Sequence, residues 1–332
     1  MSLTGLHTSW QKGSYIDDRN WFIKLREDYG LANGTDLTGL RPNWDGRTDG
    51  QGSIAIGYGY DLIVNDFATT NAALTAANGG IPTTLTAADI EIINDVRAHR
   101  SAHTATESYL KSKASQLSVS LVSEQAATTL LEQRIALYET ALDNALGGHS
   151  QLEDSKERIA ILSLLFTMAY SSATAITKTI PATIEAIRYN NRAEAWYQIR
   201  YESNKGDGHT TRRYQEADLF GLYDSGTLTQ DELIAQAKEI MRMYNRYEYE
   251  GLGKSKLTDY DYDTKHINER PSDIDGIDAT IAPAKNYLIA SYVNTGWGIT
   301  IDGHVIVGKG LDSYNYIENY RWADVITGTS QN

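Results

Sequence analysis

The twelve residues Ile159 to Tyr170 are apolar almost all round. A helix of that composition has no face for water, and it is too short to cross a bilayer. It predicts a buried central helix, and so a mainly helical chain. Helical spacing recurs on both sides of it. Ala127, Leu131, Ile135, Tyr138 and Leu142 follow a start signal at Ser123, with Glu124 and Gln125 after it. Pro181 suits the first turn of a helix expected to run past Trp196, and Thr229–Gln230 opens another through Leu233, Ala237 and Ile240 to Met243. Near the N-terminus, Trp21 to Arg26 has the pattern of a short amphipathic helix.

Between these helices lies one segment with a different period. Ser53 to Leu62 alternates: Ile54, Ile56, Tyr58, Tyr60 and Leu62 on one face, Ser53, Ala55, Gly57, Gly59 and Asp61 on the other. The alternation predicts a strand with one bulky and one small face, and the glycines suggest close approach by another group. Residues 29–52 are rich in Gly, Asn, Asp and Thr and are expected to form loops and turns; from Ala87 onward the chain is expected to be helical. The character changes after Gly251. Leu257 to Asp278 reads as an acidic linker, and Asp302-Gly303 between Ile299–Ile301 and His304–Val307 is a hairpin signal. The expected class is therefore α+β, mainly helical, with a main domain over 1–254 and a small C-terminal α+β appendage over 255–332.

Several functions are disfavoured by composition. With no cysteine there is no disulfide framework, thiolate nucleophile or Cys-based zinc site. A net charge of −13 argues against nucleic acid, whose phosphates need clustered Lys and Arg. No apolar run is long enough for a membrane span, and Met1 to Gly30 lacks the apolar core of a secretory signal. Any substrate outside the cytoplasm is then expected to be reached by lysis or by a dedicated delivery route. His99 and His103 are four apart but have no third ligand beside them, and Asp259, Asp261 and Asp263 lack the glycine and closing acid of a calcium loop. Neither a metal nor another cofactor is expected. The tail aromatics Trp297, Tyr314, Tyr316, Tyr320 and Trp322 are read first as the appendage's own core, and second as a glycan anchor.

One chemistry that these residue types fit is cleavage of a sugar bond, although by spacing alone each carboxylate reads equally as a solvated surface group. That reaction needs one protonated carboxyl, and most mechanisms add a second, ionised one. Glu27 follows Trp21, Phe22 and Leu25, which can supply an apolar wall. Asp49 and Asp61 flank the small-faced strand and are both candidates for the second carboxylate; Asp28 is an alternative acid.

Three motifs in order carry a resemblance. Trp21-Phe22-Ile23-Lys24-Leu25-Arg26-Glu27 is followed by Ala55-Ile56-Gly57-Tyr58-Gly59-Tyr60, and later by Arg212-Arg213-Tyr214-Gln215-Glu216-Ala217-Asp218-Leu219-Phe220 after Gly206-Asp207-Gly208. This order resembles the phage-type lysozymes over roughly residues 20 to 245. Asp61-Leu62 directly after the glycine segment resembles the pesticin-like muramidase domains. The resemblance implies a lysozyme-like domain whose small β-region lines a cleft, acting on the β-1,4 bond between N-acetylmuramic acid and N-acetylglucosamine. It implies Glu27 as the acid and Asp61, or Asp49, as the second carboxylate. Arg212 is implied as the partner that orients Glu27, and Tyr58 and Tyr60 as positioning or substrate-contacting residues. The family's Thr position is Ala55 here, and Ser53 is the candidate to replace its hydroxyl. Peptidoglycan strands are the implied partner, with an immunity protein or a delivery particle as further ones. A lytic transglycosylase, or a silent glycan-binding or docking module of the same fold, is the alternative.

Overall fold

The structure is a computed structural model that describes residues 13–46, 49–147, 152, 154–168, 173–204, 209–224, 227–249, 270–295, 300–301 and 304–305. It is mostly helical with a small antiparallel sheet, the α+β class expected from the sequence. Among the described residues no helix is long and apolar enough to cross a membrane.

The chain divides into two compact units, and the division falls inside two helices. The first unit holds the described residues of 7–142 and 165–172; the second holds those of 143–164 and from 173 onward.

The first unit opens with α1 (Tyr15–Glu27), longer than the Trp21–Arg26 segment expected. The extension follows from Ser14, whose hydroxyl caps the Asp17 N–H at 3.2 Å, with Asp17 and Asp18 in the positive first turn. Next come a short α2 (Tyr29–Ala32), a 3₁₀ turn (Thr38–Leu40) and β1 (Asn43–Trp44). The expected single strand over Ser53–Leu62 is instead a hairpin: β2 (Ile54–Ile56), a turn, and β3 (Tyr60–Asp61). Gly57 and Gly59 are the reason. Both take positive φ, +63° and +80°, which L-residues with a side chain resist. The sheet order is β1-β2-β3, all antiparallel, with Ala55 opposite Asp61 and Ile56 opposite Tyr60. The bulky face still goes inward as the alternation requires: Ile54, Ile56, Tyr58, Tyr60 and Leu62 are all buried.

Four helices complete this unit. They are α3 (Phe67–Ala77), α4 (Ala87–Ser101), α5 (Glu107–Ala114) and most of α6 (Glu124–Leu146). The segment holding α3 shows no helical period strong enough to have been read from sequence. α4 begins with a capping box between Thr86 and Asp89. Asp89 is buried and accepts from the backbone N–H and hydroxyl of both Thr86 and Ser118, at 2.7–2.9 Å. That carboxylate joins α4 to the segment leading into α6. α6 starts at Ser123 as expected, with Ala126 N–H on the Ser123 hydroxyl at 3.2 Å.

The second unit contains most of α7 (Lys156–Met168), the expected apolar helix. Ile159, Ala160, Ile161, Leu162 and Leu164 are all at most 1% exposed. α8 (Ala173–Thr179), α9 (Pro181–Arg188), α10 (Arg192–Arg200), α11 (Thr210–Phe220), α12 (Gln230–Tyr249) and α13 (Ile277–Thr295) follow. The helix expected to continue from Pro181 past Trp196 is broken at Asn190, whose φ is +55°. Asn191 then caps α10 through the Glu194 N–H at 3.0 Å.

The expected boundary at 254/255 lies outside the described residues, and the described residues from 270 onward belong to the second unit. α13 packs on α12, the Tyr223 hydroxyl donates to Thr280 O at 2.9 Å, and Arg200 Nη2 donates to Asp275 O at 2.5 Å. The described part of the expected appendage thus shares the second unit with the Arg-Arg motif. Thr300–Ile301 pairs antiparallel with His304–Val305, as the hairpin signal requires; Asp302 and Gly303 themselves lie outside the described residues. The acidic segment at 259–263 and the tail aromatics also lie outside them.

Candidate functional site

Glu27 is the last residue of α1. The helix stops there because Asp28 turns to extended backbone (φ −153°), while its carboxylate caps the next helix at the Leu31 N–H, 2.9 Å away. Two other charged groups of the last turn are directed elsewhere. Lys24 Nζ pairs with Glu124 at 2.9 Å, and Arg26 Nη1 returns to Phe22 O at 2.6 Å with its guanidinium over the Phe22 ring. Glu27 itself is partly buried.

The turn between β2 and β3 comes up against this carboxylate. A Cβ placed on Gly59 would lie 3.2 Å from Glu27 Oε2, 3.8 Å from Arg134 Nη1 and 3.8 Å from Phe166 Cε1. A carboxylate, a guanidinium and an aromatic edge therefore meet over one glycine, where a side chain would press on the carboxylate. Arg134, from α6, is fixed there. Nη1 donates to the Gly59 carbonyl, Nη2 donates to the Tyr138 hydroxyl at 3.2 Å, and its guanidinium lies 4.5 Å from the centroid of Phe166. Sequence reasoning missed Arg134. Its only signal was a charged residue four positions before Tyr138 on an otherwise apolar helical stripe.

Asp61 lies in the same unit, on β3. Its Oδ1 accepts from the Ser53 hydroxyl (2.6 Å) and from the N–H groups of Ile63 (2.7 Å) and Val64 (3.1 Å), and its Oδ2 lies 3.8 Å from Arg100 Nη1. Ser53 is buried and is committed to Asp61, while Ala55 stands opposite Asp61 in the ladder. Ser53, Ala55 and Asp61 are thus brought together, as the small face of the alternation requires. Asp49 is placed differently: it is exposed and accepts the Gln51 N–H at 2.9 Å, shaping a turn.

The two tyrosines are core residues. Tyr58 is 2% exposed, and its hydroxyl donates to Glu124 Oε1 at 2.7 Å, beside Lys24. Burial, and then the bond to Glu124, push its phenol well above the usual range. Tyr60 is also buried, and burial raises its phenol too. They position the turn from beneath and present no stacking face.

Arg212 belongs to the second unit, on α11. Its Nε donates to Glu216 at 3.0 Å, and its Nη2 donates to the carbonyl (3.0 Å) and hydroxyl (3.2 Å) of Ser163 on α7. Arg213 Nη1 also donates to Glu216, and the Ser163 hydroxyl donates to it at 2.6 Å. Glu216 is fully buried. Burial alone would raise its pKa, but Arg213, Arg212 and Ser163 outweigh this and lower it, so the group is an anion locked between two cations. Arg212, Arg213 and Glu216 of the Arg-Arg-x-x-Glu motif therefore form one ion-pair network inside a single unit.

His99 and His103 do not share a helix face. α4 ends at Ser101, and His103 lies beyond it at φ +57°. His99 stacks on Tyr109 at 4.2 Å, and His103 faces Gln51 at 2.9 Å.

Comparison with protein-family models, curated proteins and solved structures finds no match for this chain.

Proposed function

We propose that the protein is a glycoside hydrolase acting on peptidoglycan, with Glu27 as the acid that protonates the leaving glycosidic oxygen. The observation that carries this reading is the placement of the Glu27 carboxylate against Gly59. The carboxyl at the end of α1 is partly buried and rests on a turn glycine that carries no side chain, beside the Phe166 edge, which gives a proton donor a defined place. Asp61 is the second carboxylate of this proposal, because it shares the unit and the hairpin with that turn and its orientation is held by three donors. Asp49, exposed and in a turn, is the weaker candidate.

A single-acid route, that of a lytic transglycosylase, is favoured by one specific observation. Ser53 is buried with its hydroxyl proton given to Asp61, and Ala55 has no hydroxyl, so neither residue presents a hydroxyl to a water from solvent.

Purified peptidoglycan digested by the wild type, Glu27→Gln and Asp61→Asn tests the proposal. Glu27→Gln is expected to lose roughly 10²–10⁴-fold of muropeptide release, the usual size of general acid catalysis. Reducing ends in the products identify hydrolysis, and 1,6-anhydro ends identify the transglycosylase. Full activity in Glu27→Gln removes Glu27 from the mechanism.

A further inference from the structure

Where α9 gives way to α10, the second unit holds a hollow of about 360 Å³, its open mouth included. That is the small end of the range for ligand pockets, roughly 300–1,000 Å³. Leu152, Ile187, Ala195 and Phe220 give it apolar walls, and Glu157 and Arg192 give it one charged corner. Asn190, exposed and with φ +55°, stands at its lip. The charged corner is unevenly satisfied. Arg192 commits its donors to fixed partners: Nη2 pairs with Glu157 Oε1 at 2.7 Å, and Nη1 donates to Phe220 O at 3.1 Å and Gly221 O at 3.2 Å. Glu157, in the first turn of α7, is 2% exposed. Its second oxygen, Oε2, is buried and has no hydrogen-bond donor among the described residues. A carboxylate oxygen can only accept, and an unpaired one in the interior is costly. Arg192 already meets the charge of Glu157, so what Oε2 lacks is an N–H or O–H and not a cation.

We propose that this hollow binds a small neutral amide, whose N–H donates to Glu157 Oε2 while its apolar body lies against Ile187 and Phe220. The amide carbonyl is met at the lip by the side-chain amide of Asn190. An anion is repelled by the Glu157 carboxylate, and a cation sets a second positive charge near Arg192. A neutral donor on an apolar body is what remains, and it matches a concave site with mostly apolar walls and one or two placed polar groups. None of these residues takes part in the chemistry proposed for Glu27, so the two readings stand or fall separately.

Binding of benzamide, acetophenone and benzoate to the full chain is measured by titration calorimetry and ligand-observed NMR. The three share one outline and differ at a single group: an NH₂, a methyl or a charged oxygen. Benzamide is expected to bind with a Kd of roughly millimolar or tighter, the scale for a fragment of this size. Acetophenone, which cannot donate, is expected to bind about tenfold more weakly, and benzoate not measurably. Glu157→Gln supplies a second test. Arg192 requires the oxygen of the new amide, so its NH₂ takes the place of Oε2 and the hollow then offers a donor; the preference for benzamide over acetophenone is expected to vanish. Equal affinity for benzamide and acetophenone in the wild type, or no binding of benzamide, overturns the proposal. So does a preference that survives in Glu157→Gln with its fold intact by circular dichroism. If Glu157→Gln does not fold, the wild-type ligand series decides by itself.

Discussion

Two carboxylates on this chain, Glu27 and Glu216, stand close to guanidinium groups, and their settings differ. Glu216 is fully buried, with two arginines and a serine hydroxyl converging on its oxygens inside the second unit. Glu27 is partly buried at a helix end in the first unit, and its neighbour Arg134 is anchored mainly through a backbone carbonyl and aromatic rings. The first arrangement resists change and excludes water. The second leaves a carboxyl partly open to solvent, which the proposed proton transfer requires. The difference teaches that the most specific motif in the sequence, Arg212 to Phe220, is built mainly of structural contacts, while the residue proposed to do chemistry sits on a much less distinctive segment.

The sharpest way to break that contrast is to treat the two carboxylates alike. Glu216→Ala strands Arg213 in the core and is expected to cost about 3–5 kcal/mol. Urea denaturation measures this, and a loss below about 1 kcal/mol would mean that Glu216 is not the anchor described.

Asp89 extends the comparison to pH. Burial raises its pKa, but the donors on Ser118 and Thr86 outweigh this, so its folded value lies below the ordinary 3.8. Its contribution to stability is therefore present above pH 4 or so and is lost as pH falls through the lowered value. Asp89→Ala is expected to cost about 2 kcal/mol at neutral pH, the scale of hydrogen bonds to a charged group. The gap from wild type should shrink as the solution is acidified. Denaturation at several pH values checks the slope, and a gap that widens on acidification contradicts the account.

Gly59→Ala probes the turn under Glu27. At φ +80°, with a Cβ 3.2 Å from Glu27 Oε2, the variant is expected to lose about 1–2 kcal/mol and to displace the carboxylate. Thermal melting reports the first effect and muropeptide release the second. The smallest effect belongs to Glu27→Gln, expected within about 0.5 kcal/mol of wild type in stability, as for a substitution outside the packed core. A large loss of stability there would turn Glu27 into a second Glu216 and dissolve the contrast.

Much of the helical frame is legible in the chain by itself. The apolar run at Ile159, the Ser123 start of α6, the Pro181 first turn and the Thr229 cap are local signals, set by side-chain period and by the capping needs of backbone N–H groups; so is the inward face of Ile54, Ile56, Tyr58, Tyr60 and Leu62. Tertiary structure decided the rest. Alternation cannot distinguish a strand from a hairpin when glycines sit at its middle, because the sign of φ at Gly57 and Gly59 depends on what packs around them. Nor can it show that Ser53 is committed to Asp61, that Tyr58 serves Glu124, or that Arg134 reaches Gly59 from 75 residues away. A side chain's burial and partners are properties of long-range packing, and a carboxylate's role follows from them, so the candidate acid is written in the sequence while its surroundings are not.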